Sequence, residues 1–167
     1  FLDEIGDMPM RLQSKLLRVL QEKQYTPVGS SEVKTVDTRI IAATNINIEE
    51  AIKQQRFRLD LYYRLNVLPL FLPPLRERLG DIVFLLDHFL EQANRLYAKV
   101  NPCWVSGETE ELLSRFFWPG NVRQLQNFVE RMVIMKDGEI RLEDLPKEFL
   151  VPADAKTSQK SEKFVLS

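Results

Sequence analysis

The chain opens on Phe1-Leu2-Asp3-Glu4-Ile5-Gly6-Asp7, which puts two adjacent carboxylates at the end of an apolar run. A buried strand that ends this way delivers acids to the crevice at the carboxyl edge of a parallel sheet, where ligands bind in open α/β folds. Adjacent Asp and Glu can divide labour there. One holds a metal ion, commonly through water, and the other orients or deprotonates an attacking water. The plainer role of such a pair is a solvated loop start. Asn45 closes a second apolar run, Thr38 to Ala43. It is either a turn former or a side-chain amide that places a water near the acids, which neighbouring parallel strands would bring to one crevice. Arg58 and Arg64 flank a short helical stretch in Phe57-Arg58-Leu59-Asp60-Leu61-Tyr62-Tyr63-Arg64-Leu65. They are solvated charges or, anchored by Leu61, Tyr62 and Leu65, fixed forks of donors for phosphate. Arg123 falls in the first turn of a predicted helix, where a cation opposes the helix dipole at a cost of about 0.3–1 kcal/mol. It is a tolerated surface residue, or it faces an anion together with the helix N-terminus.

These residues need elements to carry them. After the first strand, Asp7 is placed to cap a helix with Pro9 in its first turn, and Leu12, Leu16, Leu17 and Leu20 form its apolar stripe. Tyr25 to Val28 and Glu32 to Val36 read as a hairpin around Gly29-Ser30-Ser31. Thr38 to Ala43 suits a strand buried on both faces. Ile48 to Gln55 is a short helix, Asp60 can cap another through Leu65, and Val67 to Leu72 is a third strand candidate interrupted by Pro69. Beyond Pro73-Pro74 only helical periods remain. One helix starts near Asp81, the next is capped by Ser106, a third follows Pro119-Gly120-Asn121 and ends at Lys136-Asp137-Gly138, and a short turn covers Leu142 to Phe149. From Val151 the chain is polar and aperiodic, which reads as a linker or disordered tail. An α/β unit followed by a small helical bundle is the expected architecture.

The bulk properties narrow the function. At 167 residues, 44% of them apolar, the chain can bury a core. Lys plus Arg (23) nearly balances Asp plus Glu (24), so no general polyanion-binding surface is indicated. One cysteine, Cys103, and one histidine, His88, exclude an intrachain disulfide framework and argue against structural zinc. The lone cysteine fits a reducing, cytoplasmic setting, and no apolar run is long enough to span a membrane. The chain begins without Met inside an apolar run, which points to a fragment of a longer protein.

Six segments occur in unbroken order: FLDEIGDMP, LQSKLLRVLQE, YTPVG, VDTRIIAATN, FRLDLYYRLNVLPLFLPPLRERLGDI and WPGNVRQLQNFVERMV. Together they resemble the central ATPase module of sigma-54-dependent transcriptional activators, the bacterial enhancer-binding proteins of the AAA+ superfamily, over about Phe1 to Leu150. The resemblance implies a partial AAA+ P-loop-type parallel sheet over residues 1–74, an all-helical lid over 75–150, and a tail over 151–167. It implies that FLDE is the Walker B segment, with Asp3 helping to hold magnesium and Glu4 preparing the attacking water. Asn45 matches the first sensor. Arg58 and Arg64 match the arginines offered to a neighbouring subunit's ATP, and Arg123 matches the second sensor on the lid.

In the family, ATP hydrolysis in a ring, usually a hexamer, remodels sigma-54 RNA polymerase so that promoter DNA opens. The Gly-rich phosphate loop ending in Gly-Lys and the sigma-54-contacting loop, which precede Walker B in the family, are not among these residues, nor is a regulatory or DNA-binding domain. The chain alone is therefore expected to be inactive. Two other readings stand beside this one: a non-catalytic helical interaction module, and a helix-turn-helix reader built on Gly120 to Val133, which the balanced charge disfavours. The resemblance also implies that the strand leading into the phosphate loop lies between those matching Thr38–Ala43 and Val67–Leu72. The α/β half is therefore expected to be completed by another chain or to be less ordered than the bundle from Asp81 to Met135.

Overall fold

The computed structural model describes residues 1–150, so the predicted tail lies outside the described residues. The chain divides into two compact units, Phe1–Phe71 and Leu72 onward.

In the first unit, Leu2 pairs in parallel with Ala42. The Leu2 amide donates to Ile41 O (2.8 Å), and Leu2 O accepts from the Ala43 amide (2.8 Å). This is the expected neighbouring of the two apolar runs, reduced to a single bridge. Ile5–Asp7 forms a 3-10 turn, and helix α1 follows at Met10–Glu22. Asp7 is therefore not the cap of α1; that place falls to Pro9, whose carbonyl accepts from the Leu12 and Gln13 amides. The buried face of α1 also differs from the predicted one. Gln13 and Leu17 are buried with Leu16 and Leu20 half-buried, whereas Leu12 is 42% exposed.

Strands β1 (Gln24–Tyr25) and β2 (Lys34–Thr35) make the expected antiparallel hairpin, with Gln24 opposite Thr35. Helix α2 (Ile48–Lys53) is capped by Asn47, whose side chain accepts from the Glu50 amide at 3.0 Å. Helix α3 (Leu59–Leu65) starts one residue before Asp60. Its Leu61 joins Ile5, Leu17, Ala51 and Phe57 in the core of this unit. The segment Val67 to Leu72 is not a strand: its apolar residues are 76–87% exposed. A strand exists only through pairing, and an apolar run with no ladder partner stays an exposed extended segment.

The second unit is built on α4 (Gly80–Leu96), α5 (Gly107–Arg115) and α6 (Asn121–Met135), followed by the short α7 (Lys147–Leu150). Ser106 caps α5 as predicted, its hydroxyl accepting from the Thr109 amide. The buried residues of α4 (Ile82, Leu86, Phe89, Leu90, Ala93) recur every three or four positions and meet Leu125, Phe128, Val129, Met132 and Val133 of α6. Trp118 is fully buried among Phe116, Phe128 and Phe149. A parallel ribbon of β3 (Trp104–Val105) and β4 (Glu139–Ile140) joins the two loops beside the bundle, an element that the apolar pattern did not announce.

Candidate functional site

The acids and Asn45 are positioned by backbone pairing. Because Leu2 and Ala42 run parallel, Asp3-Glu4 and Thr44-Asn45 leave the pair at the same, carboxyl-terminal end. A further bond, from the Ile5 amide to Ala43 O (3.0 Å), carries the registration past the acids. Asp3, Glu4 and Asn45 are all exposed. Asp3 Oδ1 accepts from the Glu4 amide at 2.9 Å. Glu4 adopts φ 51°, ψ 40°, the left-handed region that side-chain-bearing residues rarely enter. That turn redirects the chain at once into the 3-10 turn and holds the two carboxylates on a sharp corner. Nothing in the residue types announced it.

Gly6 makes the corner possible. A Cβ at this position would lie 2.6 Å from Ile46 Cγ1 and 2.8 Å from Thr44 Oγ1, so the acid loop and the Asn45 loop touch through a missing side chain. Thr44 is itself tied locally, its Oγ1 accepting from the Ile46 amide at 3.3 Å. Both neighbours are β-branched and stiff at χ1. Gly6→Ala is expected to destabilise the first unit by about 1–3 kcal/mol through overpacking. Urea denaturation followed by far-UV circular dichroism measures it, and a loss under about 0.5 kcal/mol would show that the two loops yield freely.

The arginines lean on α1. Arg58 stands just before α3, and its fork is bidentate to Asp60: Nε to Oδ1 at 3.0 Å and Nη2 to Oδ2 at 2.7 Å. Nη1 also donates to Ser14 Oγ at 3.2 Å. Five N–H donors belong to a guanidinium, so these three bonds orient the plane and leave two donors for an anion. The hydrogen bond from Arg58 holds the Asp60 carboxyl below the usual carboxylate range, and the same bond raises Arg58. Arg64 Nη2 donates to Leu20 O at 3.1 Å, in the last turn of α1, where a cation also favours the helix dipole. Ser14 and Leu20 are six residues apart, roughly 9 Å along the helix axis. Arg58 and Asp60 also border an open depression with Met10, Ile52, Phe57, Leu59 and Tyr63.

Sequence reasoning passed over two side chains here, Gln13 and Ser14, and gave a third, Asp60, a different role. Gln13 is buried and ties Met8, Arg56 and Arg58 together. Its signal was available: it stands three, four and seven residues before Leu16, Leu17 and Leu20, inside the apolar stripe. Asp60 was read only as a helix cap and not as the partner of Arg58, and Ser14, the other contact of Arg58, had no distinguishing pattern.

In the second unit Arg123 lies in the first turn of α6, exposed, as the sequence indicated. The turn before it is held by Asn121 (φ 53°), whose Oδ1 accepts from the Leu75 amide at 2.8 Å, and by Gln124 Oε1, which accepts from the Gly120 amide at 2.9 Å.

The donor set at Asp3 and Glu4 suits magnesium. That ion takes one or two carboxylates and draws its remaining oxygens from water and phosphate. Among the described residues no cluster of three or more His, Cys, Asp or Glu forms a metal cage of its own.

Over residues 1–71 the sequence matches the Sigma-54 interaction domain, and over residues 76–162 the AAA+ ATPase lid domain. It is 50% identical over 135 residues to the alginate biosynthesis transcriptional regulatory protein AlgB of Pseudomonas putida, a match covering 81% of this chain and 30% of that protein. It is 48% identical over 147 residues to the formate hydrogenlyase transcriptional activator FhlA of Escherichia coli, covering 87% of this chain and 21% of that one. In structure it is similar to NtrX from Brucella abortus in complex with ADP, with a TM-score of 0.82 and 35% identity over 94% of this chain and 38% of NtrX. The chain thus spans well under half the length of each of these proteins.

Proposed function

The chain belongs to the AAA+ modules of sigma-54-dependent transcription activators, and on that footing we propose that it supplies the water-activating and arginine-bearing half of an ATP-hydrolysing site. Asp3 holds magnesium on the bound ATP, and Glu4 orients and deprotonates the attacking water. Asn45 fixes that water from the adjoining loop. Arg58 and Arg64 neutralise phosphate charge on a neighbouring subunit's nucleotide, and Arg123 is the second-sensor arginine of the lid. Hydrolysis in a ring of such subunits drives the remodelling of sigma-54 RNA polymerase at promoters. The observation that carries this reading is the parallel pairing of Leu2 with Ala42, which sends Asp3-Glu4 and Thr44-Asn45 out of one edge. The nucleotide complexes of NtrX support it by analogy. No described helix is long and apolar enough to cross a membrane.

Magnesium would add Lewis-acid stabilisation of phosphate charge when bound. This chain's residues would orient the nucleophile and balance charge, whereas backbone amides and a loop lysine do most of the phosphate gripping in P-loop enzymes. The sequence contains no such loop. Calorimetry with magnesium and ATP is therefore expected to give micromolar affinity for a complete protein that includes this segment. For the chain alone the affinity should be weaker than about 1 mM, a difference of at least about 4 kcal/mol. Micromolar binding by the chain alone would overturn the division of labour, and no binding by the complete protein would overturn the ATPase reading.

A further inference from the structure

Gln13 sits at the junction of three stretches of backbone. Its Nε2 donates to Met8 O at 2.7 Å and to Arg56 O at 2.9 Å, and its Oε1 accepts from the Arg58 amide at 2.9 Å. Both amide hydrogens are used, and the side chain is wholly shielded from solvent. Arg56 O and Arg58 N flank Phe57, which is 3% exposed, so this backbone is gripped on one side by the amide and on the other by a buried ring. Met8 closes the turn that begins at the acids, through the bonds from the Asp7 amide to Glu4 O and from the Met8 amide to Ile5 O. The next residue of α1, Ser14, takes the Arg58 side chain itself.

An apolar side chain of the same size would fill this space but would take their partner from the Met8 and Arg56 carbonyls and the Arg58 amide. The amide adds position as well, since a fully satisfied buried network fixes one geometry and penalises the rest. We propose that Gln13 is a positioning residue for Arg58, fixing the point from which that arginine projects relative to α1 and to the loop that follows Asp3 and Glu4. Its consequence for turnover rests on the reading of Arg58 as an arginine donated to a neighbour.

Two measurements test this. The first is amide exchange by NMR on the 167-residue chain. Leu59 is an internal reference, since it is half-exposed and its amide has no hydrogen-bond partner among the described residues. In the wild type the Arg58 amide should exchange at least on the order of tenfold more slowly than Leu59, the protection that one such bond gives. Gln13→Met fills the space without an acceptor and should lose that protection. If Gln13 only fills space, Gln13→Met keeps it. Unprotected Arg58 in the wild type overturns the proposal with no variant needed.

The second measurement is ATP turnover by mixed complete proteins. Gln13→Met subunits should regain activity when mixed with Glu4→Ala subunits, which supply a well-placed arginine, and should not regain it with Arg58→Ala subunits. Recovery with Arg58→Ala instead would put the defect on the acid loop and overturn the proposal. If Arg58→Ala alone leaves turnover unchanged, the donated-arginine reading fails, while the exchange result still decides what Gln13 holds.

Discussion

Replacing Arg58 with alanine in a complete protein that carries this module is expected to cut ATP turnover by roughly 10³–10⁵-fold, the range in which an arginine donated to a transferring phosphoryl group acts. The fold should survive. Among the described residues the guanidinium hydrogen-bonds to Asp60 and Ser14, both exposed, while the Arg58 backbone amide, which reaches Gln13, is retained by alanine. Mixing Arg58→Ala with Glu4→Ala subunits should restore part of the activity, since each provides what the other's site lacks. Arg64→Ala should cost turnover too, and also removes a donor from the carboxyl-terminal end of α1. The two losses need not be equal: Arg58 is held by three side-chain bonds and Arg64 by one.

A proton titration reports on the same pair without any nucleotide. The Asp60 carboxyl is held down by its hydrogen bond from Arg58, so Asp60 should titrate below the ordinary range near 3.9 and move up towards it in Arg58→Ala. The sign for stability follows. A depressed carboxylate contributes above its unfolded value and loses that contribution as pH falls through its folded one. Removing Arg58 should therefore flatten the acid side of the stability profile near this group. Near-normal turnover in both single arginine variants would assign the two side chains to structure and solvent.

Parts of this site could be read from residue types because they obey patterns that local sequence controls. Leu2 and Ala42 pair in parallel where two apolar runs each end in polar residues. Ser106 caps α5 because its hydroxyl can satisfy an amide at a helix start, and a serine before an amphipathic run says so. Arg123 falls in the first turn of α6 because Pro119-Gly120 marks that helix start. Other parts depended on partners at long range. Val67 to Leu72 has the composition of a strand, but pairing is a property of two segments, and these residues remain exposed. Gln13 stands inside the leucine stripe, which marks it for burial, but the three groups that satisfy it lie outside that stripe and no local pattern names them. Glu4, Trp118 and Asn121 adopt left-handed backbone where no glycine marks the place. Such conformations are imposed by surrounding packing rather than by the residue itself.

Trp118 gives the largest stability effect expected in this chain. It is completely buried, its Nε1 donates to Leu113 O at 2.9 Å, and its ring lies 5.1–5.8 Å from those of Phe116, Phe128 and Phe149. Trp118→Ala should destabilise the second unit by about 3–5 kcal/mol, through lost burial and the cavity left behind. Trp118→Phe keeps the ring contacts but removes the donor to Leu113 O, and should lose less, about 1–3 kcal/mol. The backbone separates packing from strain. At φ 46° a side-chain-bearing residue is disfavoured by roughly 1–2 kcal/mol, and glycine is not. Trp118→Gly should therefore be less damaging than Trp118→Ala, the reverse of the order in ordinary backbone. Both tryptophans of the chain lie in this unit, so Trp104 emission on β3 can follow urea denaturation in every variant. A loss below about 1.5 kcal/mol for Trp118→Ala would mean that the aromatic cluster closes over the gap and is not what holds the bundle. Alanine outperforming glycine would mean that the left-handed turn relaxes once the indole is gone.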